Sequence, residues 1–330
     1  MTVTPQTNTT LAGIAEVLSK HESFVICGHV SPDGDCLGSQ LALAAALESC
    51  GKRAVCVLAK DDPIEENLAA LSGADGLVYA GDYEGSVEVF VGVDVPTLER
   101  VGDAARLHDA AQVTVTIDHH AVDSTMADHV YVDPDAASTT LLIWEVARLM
   151  GARREGPVAE CCYTGLLTDT GRFQYQNTDR WALSAAAEMV AAGADPARIA
   201  SRVSQNRSVA SVRLDGLAVE RMKLVAGGAA AISHFTVADF ERLGAVKADA
   251  EPAVNVLRCI RGVRVACMLR EQPDGIRGSL RAKDDSDVSA IARGFDGGGH
   301  KAAAGFTLHC TLDEALLRVE EAVERAVVCG

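Results

Sequence analysis

Residues Val113 to His120 read VTVTIDHH. The β-branched run Val113 to Ile117 has the character of a buried β-strand. An acid and two imidazoles, Asp118, His119 and His120, therefore stand where a strand ends and a loop begins, the place where open α/β sheets carry their sites. Three other stretches repeat the pattern: Cys27 to Ser39 (CGHVSPDGDCLGS), Val91 to Pro96 (VGVDVP) and Leu166 to Phe173 (LLTDTGRF). Each sets acids or a histidine beside an apolar run, and their convergence predicts a metal-ligating site.

Working outward, helical and strand periods alternate through the first half. A helix over 11–21 precedes a strand over Ser23 to Cys27. Gly34, Asp35 and Gly38 open a helix that Gly51 ends. Strands follow at Arg53 to Leu58, Gly76 to Tyr79 and Val87 to Val93, with a short helix over Pro63 to Leu71. Helices over Leu141 to Met150 and Val158 to Leu167 come after the central strand, the second delivering Asp169. The alternation predicts an α/β fold, a mostly parallel sheet flanked by helices, over residues 1–193. Residues 194–225 read as a helical connector, with Asp195-Pro196 capping a helix. Residues 226–330 read as a smaller α+β domain. Its expected elements include a last strand over Phe306 to Cys310 and a last helix over Leu312 to Val327, and the turn Glu271 to Gly275 (EQPDG) joins two strands.

Composition removes several function classes. Hydrophobic residues make up 48% of the 330 and aromatic ones 4%, which suits a helix-rich globular chain and excludes disorder. No basic leader precedes an apolar core, and no apolar run reaches about 20 residues, so a cytoplasmic protein without membrane partners is expected. The ten cysteines contain no CxxC pair and read as small buried hydrophobes. A net charge of −16 argues against coating long nucleic acid. Between Arg258 and Lys301, however, nine basic residues face six acidic ones. A basic island in an acidic chain suggests a short anionic ligand bound at one place.

The candidate groups are His29, Asp33, Asp35, Asp94, Asp118, His119, His120 and Asp169. Carboxylates and imidazoles without thiolates suit Mn²⁺, or Mg²⁺, better than structural zinc. So many acids at one sheet edge repel strongly unless divalent cations neutralise them. Two ions roughly 3.5–4 Å apart could hold a bridging hydroxide for an in-line phosphoryl displacement. Ser138, Thr139 and Thr140 read as helix caps, and His108, His129, His234 and His309 as surface or core residues. Arg172 is equally well read as an ion pair steadying Asp169 or as a substrate contact.

HVSPDGDCLGS, the acid of VDVP, Asp-His-His, the TDTG acid and the late GGGHKAAAGF together resemble the DHH phosphoesterase superfamily with a DHHA1 C-terminal domain, in particular its oligoribonuclease (nanoRNase) and pAp phosphatase group. The resemblance spans the chain from about Ser23 to the last helix. It implies one metal on His29, Asp33 and Asp94 and a second on Asp35, Asp94, His119 and Asp169, with Asp94 bridging. It implies that His120 supports charge at the scissile phosphate and that Asp118 orients a histidine. It further implies that Arg281 and the loop Gly297 to Lys301 grip substrate phosphate, with Gly298 and Gly299 opening backbone N–H groups at a helix start and His300 and Lys301 adding charge. Cys36 departs from the small apolar residue usual at its position.

The resulting expectation is a phosphohydrolase working between two domains on short oligoribonucleotides such as pApA, or on 3′-phosphoadenosine 5′-phosphate (pAp). A cyclic-dinucleotide (c-di-AMP) phosphodiesterase and a non-catalytic nucleotide-binding regulator are the alternatives. A family II pyrophosphatase would lack the GGGH loop, and a RecJ-like exonuclease would need more chain. A homodimer is expected from the resemblance alone.

Overall fold

The computed structural model describes residues 4, 6–121 and 124–329. The chain forms two compact units, Met1–Asn206 and Arg207–Gly330. The second therefore begins inside the stretch read as a connector.

The first unit runs α1 (Leu11–Lys20), β1 (Ser23–Cys27), α2 (Gly34–Ser49), β2 (Arg53–Leu58), α3 (Glu66–Ala69), β3 (Val78–Tyr79), β4 (Val89–Val93), α4 (Ala105–Asp109), β5 (Val113–Asp118) and β6 (His129–Val132). Helices α5 (Thr139–Leu149), α6 (Pro157–Asp169), α7 (Arg180–Ala191) and α8 (Pro196–Ser204) follow. The six strands are all parallel, in the order β3-β2-β1-β4-β5-β6. Strand β6 is an addition to the elements expected from the sequence, because its four residues, HVYV, are too few to show a period. The helix expected from Pro63 narrows to Glu66–Ala69.

Strand order reverses between β1 and β4, and a crevice opens at such a switch point beyond the carboxyl ends of the strands. Apolar side chains fill both sheet faces. Leu37, Leu43, Leu141 and Leu166 belong to the layer that α2, α5 and α6 pack on one face, while Phe90, Val101 and Leu107 lie on the other. Helix α2 is buried almost throughout. At Gly38 a Cβ would stand 2.6 Å from the Cys161 carbonyl oxygen, so only glycine lets α2 and α6 approach this closely.

The second unit contains α9 (Val209–Glu220), β7 (Lys223–Val225), β8 (Ala230–Phe235), α10 (Val237–Leu243), α11 (Ala253–Arg258), β9 (Val265–Gln272), β10 (Gly275–Ala282), α12 (Val288–Arg293), β11 (Gly298–His300), β12 (Ala303–Leu308) and α13 (Leu312–Cys329). Its sheet order is β11-β12-β10-β9-β8-β7, antiparallel except for the β8–β9 pair. The last strand begins at Ala303, ahead of the expected Phe306. Gly297 to Gly299 do not sit at a helix start either, since Gly298 and Gly299 belong to β11. Gly299 has φ +137°, and a Cβ there would lie 2.6 Å from the Ala303 carbonyl oxygen, so the glycines serve a tight hairpin. The nearby helix start, Val288 N–H of α12, donates to the Lys301 carbonyl and is already satisfied by the chain.

No helix among the described residues is long and apolar enough to cross a membrane. The nine cysteines whose side chains are described are free, and six of them are buried.

Asp239 ties this unit together. Its carboxylate accepts from Thr236 N–H (2.8 Å) in a capping box, and Arg221 Nη2 at the end of α9 donates to it at 2.9 Å. Burial would raise its pKa, but Arg221 and Thr236 win and hold it well below the ordinary carboxylate range. A depressed pKa contributes stability above the unfolded value, about 4, that is lost as pH falls through the folded one. Asp239→Asn is expected to lower stability by about 2 kcal/mol at pH 7, with the difference narrowing below about pH 4, as read by urea denaturation at several pH values.

Candidate metal centre

Each candidate acid or histidine is held where the chain leaves a strand or meets a helix end. His29 follows β1, and Asp33 caps α2, its Oδ1 accepting from Asp35 N–H (3.1 Å) and Cys36 N–H (3.0 Å). Asp35 lies in the first turn of α2, fully buried. Asp94 follows β4 at φ +54°, a left-handed conformation unusual for a non-glycine residue. Asp118 ends β5, with His119 and His120 immediately after, and Asp169 is the last residue of α6.

These positions converge on Asp94. Its Oδ2 is 3.5 Å from His29 Nε2, which is itself 3.9 Å from Asp33 Oδ1. Its Oδ1 is 3.5 Å from His119 Nε2, and the same nitrogen is 3.8 Å from Asp35 Oδ2 and 3.3 Å from Asp169 Oδ2. The two oxygens of one carboxylate thus face separate donor sets. Ligand atoms of Asp35, Asp94 and His119 all lie within 4.8 Å of one another, as do those of His29, Cys36 and Asp94. His119 Nδ1 faces the Ala136 carbonyl at 3.1 Å; a carbonyl only accepts, so Nδ1 carries the proton and Nε2 offers its lone pair to the acids' side of the site, where a cation would sit.

Two threonines read as caps take a direct part. Thr139 N–H and Thr140 N–H donate to Asp35 at 2.6 and 2.9 Å, and Thr139 Oγ1 donates to Asp94 Oδ1 at 3.0 Å. Only Ser138 is the cap proper, accepting from Leu141 N–H. A Cβ on Gly165 would stand 2.7 Å from Asp35 Oδ1, so α6 leaves room for that carboxylate. The signal for these residues was the S-T-T run at the start of α5, whose first N–H groups lack partners within the helix.

Asp118 is set behind the two donor sets. Its Oδ1 accepts from His119 N–H (2.7 Å), His120 N–H (3.1 Å) and His120 Nδ1 (2.8 Å). Arg172 has a left-handed backbone at φ +65°, and no ion pair joins it to Asp169 among the described residues. Cys36 Sγ accepts from His29 N–H at 3.3 Å, and burial pushes its thiol well up, reinforced by Asp94 and Asp33.

Electrostatics supply the test of whether this set suits cations. Burial raises Asp35 and Asp169 far above their usual range, with neighbouring carboxylates adding to it. Burial also acts to raise Asp94, yet the His29 hydrogen bond and the charges of His120 and His119 hold it low. His119 is pushed down by burial and by His120. Oxygen and imidazole donors crowded past what the histidines can neutralise fit divalent cations well.

In the second unit, directly opposed residues put Arg281, Ala303 and His300 in one row across β10, β12 and β11. Gly298 lies in the next row, Gly299 pairs with Ala304, and Lys301 stands in the hairpin turn, 3.6 Å from Asp285.

Known proteins resemble this chain along most of its length. The model of the DHH family, N-terminal domain, matches residues 23–166, and that of the DHHA1 domain matches residues 233–327. The chain belongs to the DHH–DHHA1 phosphoesterase superfamily. It is 32% identical over 321 residues to the bifunctional oligoribonuclease and PAP phosphatase NrnA of Thermus thermophilus, covering 94% of this chain and 92% of that protein. The protein of the same name from Bacillus subtilis is 27% identical, with 92% and 94% covered. Among solved structures, an exopolyphosphatase-related protein from Bacteroides fragilis superposes with a TM-score of 0.88 at 27% identity, covering 97% of each chain.

Burial would lower His120, but Asp118 and then Asp94 raise it to about 9. That contact contributes stability fully below about pH 6.5, lost as pH rises through about 9. Asp118→Asn is expected to return the His120 titration toward about 6.5, followed by NMR of the imidazole protons in EDTA.

Proposed function

We propose that this chain is a phosphoesterase that hydrolyses short oligoribonucleotides, pApA-like dinucleotides among them, and pAp, using two divalent cations, with Mn²⁺ the best match to the donors. The observation that carries the reading is Asp94, whose two oxygens face separate histidine-carboxylate sets. His29, Asp33 and Asp94 would hold one ion, and Asp35, Asp94, His119 and Asp169 the other. When bound, such ions supply Lewis acidity at phosphorus and make an attacking water more acidic. The relatives named for oligoribonuclease and PAP phosphatase activity support the substrate class.

The remaining work falls to the chain's own side chains. Asp118 fixes His120 through Nδ1 and favours its protonated form, so Nε2–H can donate to an oxygen whose charge grows as the ester bond breaks. Thr139 and the first N–H groups of α5 hold Asp94 and Asp35 in one orientation. Arg281 offers a guanidinium fork to the substrate's other phosphate, joined by His300, Lys301 and the backbone at Gly298 and Gly299. The acidic surface elsewhere disfavours long strands.

Turnover of pAp, pApA, a five-nucleotide RNA, a 20-nucleotide RNA and c-di-AMP in Mn²⁺ tests this. The short substrates are expected to outrun the 20-mer, and Asp94→Ala to abolish turnover. Preference for the 20-mer refutes the length argument, and tight nucleotide binding without turnover makes the chain a regulator. Thr139→Val, with the carboxylates intact, is expected to weaken Mn²⁺ binding by roughly 10- to 100-fold in calorimetric titration.

A further inference from the structure

Helices α9 and α11 cover one face of β8 and β9, but the same face over β10, β12 and β11 is only half-covered and carries more than Arg281. Opposed residues of antiparallel strands share a side. Beside the row of Arg281, Ala303 and His300 lies a row of Ser279, Gly305 and Gly298, and beyond it Arg277 opposite Thr307. The middle row holds no side chain larger than serine.

Arg277 leans into that gap. A Cβ on Gly305 would stand 2.9 Å from Arg277 Nη2 and 3.3 Å from its Cζ, so the guanidinium lies over the glycine, while Nη1 donates to Thr307 Oγ1 at 3.3 Å. Gly305 is not in the left-handed region, so its missing side chain provides space and not backbone freedom. The backbones of Arg277 and Arg281 are two rows apart. By reaching back over Gly305, however, the Arg277 guanidinium stands one row from the row of Arg281, two residues of strand or about 6.8 Å, a step comparable to the backbone of one nucleotide.

We propose that Arg277, seated over Gly305, is a second phosphate-binding position, one nucleotide beyond the phosphate held at Arg281. This rests on the reading of Arg281 as a substrate-phosphate contact. Each of pAp and pApA carries one phosphate besides the scissile one; pApApA is the shortest of the series to carry two. Arg277 therefore sets the efficiency of trinucleotides and longer chains relative to pAp. A planar fork of N–H donors suits phosphate oxygens, and a floor of glycine, alanine and serine admits an extended strand against the sheet.

The test measures kcat/KM for pAp, pApA and pApApA in Mn²⁺ with the full chain, Arg277→Gln, Arg277→Lys and Gly305→Ala. It adds calorimetric binding of pApA and pApApA in EDTA. In Arg277→Gln the pApApA-to-pAp ratio of kcat/KM is expected to fall about tenfold, or about 1.4 kcal/mol, through KM. Gly305→Ala should move the ratio the same way, because its Cβ displaces the guanidinium while the charge remains, and Arg277→Lys should recover part of it. A ratio within about twofold of wild type, or an equal loss on pAp, overturns the proposal. If wild type turns over none of the three, the phosphoesterase reading fails and binding decides the role of Arg277. A trimer-over-dimer preference lost in Arg277→Gln supports it, and a preference that persists or never existed refutes it.

Discussion

Mutual repulsion among buried carboxylates is the constraint on which the rest of the first unit depends. Asp35 and Asp94 are buried, and Asp33 and Asp169 face the same histidines. Unpaired charges in such surroundings are prohibitively costly. The fold opposes that cost with positive ends and donors. Helix α2 begins at Asp33, helix α5 directs its first two N–H groups at Asp35, and His29, His119 and His120 surround Asp94. Even so, Asp35 and Asp169 are driven toward their neutral forms. Divalent cations held as proposed would complete the neutralisation, and their binding to the folded chain alone would stabilise it by mass action.

The parallel sheet makes this crowding possible. Because strand order reverses between β1 and β4, His29 and Asp94 emerge on either side of the switch point, and β5 next door contributes the Asp-His-His. The left-handed turn at Asp94 is a local strain that the neighbouring structure must hold. Its own N–H donates to the Ile117 carbonyl at 3.1 Å, and Thr139 binds its carboxylate.

The sequence revealed this arrangement where donors follow long apolar strands. Asp94 and the Asp118 to His120 run end strands whose period is unmistakable, so their placement at the sheet edge could be read directly. Thr139 and Thr140 could not, because a helix-start threonine looks the same whether its N–H meets water or a carboxylate 104 residues away. Gly297 to Gly299 misled for a related reason. Glycine signals close approach without saying of what, and here the close neighbours are the Ala303 carbonyl and the Gly305 carbonyl, not an anion at a helix. Strands β6 and β7, of four and three residues, were too short to carry a period and are fixed by pairing with their neighbours.

Six acids and imidazoles held together in one place bear on function. In a chain that bound nucleotides without chemistry, replacing Asp35 by a neutral residue would relieve a charge that burial opposes and would leave Thr139 and Thr140 N–H groups other acceptors to find. In this chain the acid is present, the first two N–H groups of α5 hold it, and a hydroxyl is aimed at Asp94. The antiparallel unit shows the opposite economy of charge, with arginines spaced across a floor of small residues and no comparable crowd of acids in that face among the described residues. One unit concentrates negative charge that demands cations, and the other presents positive charge that suits phosphate.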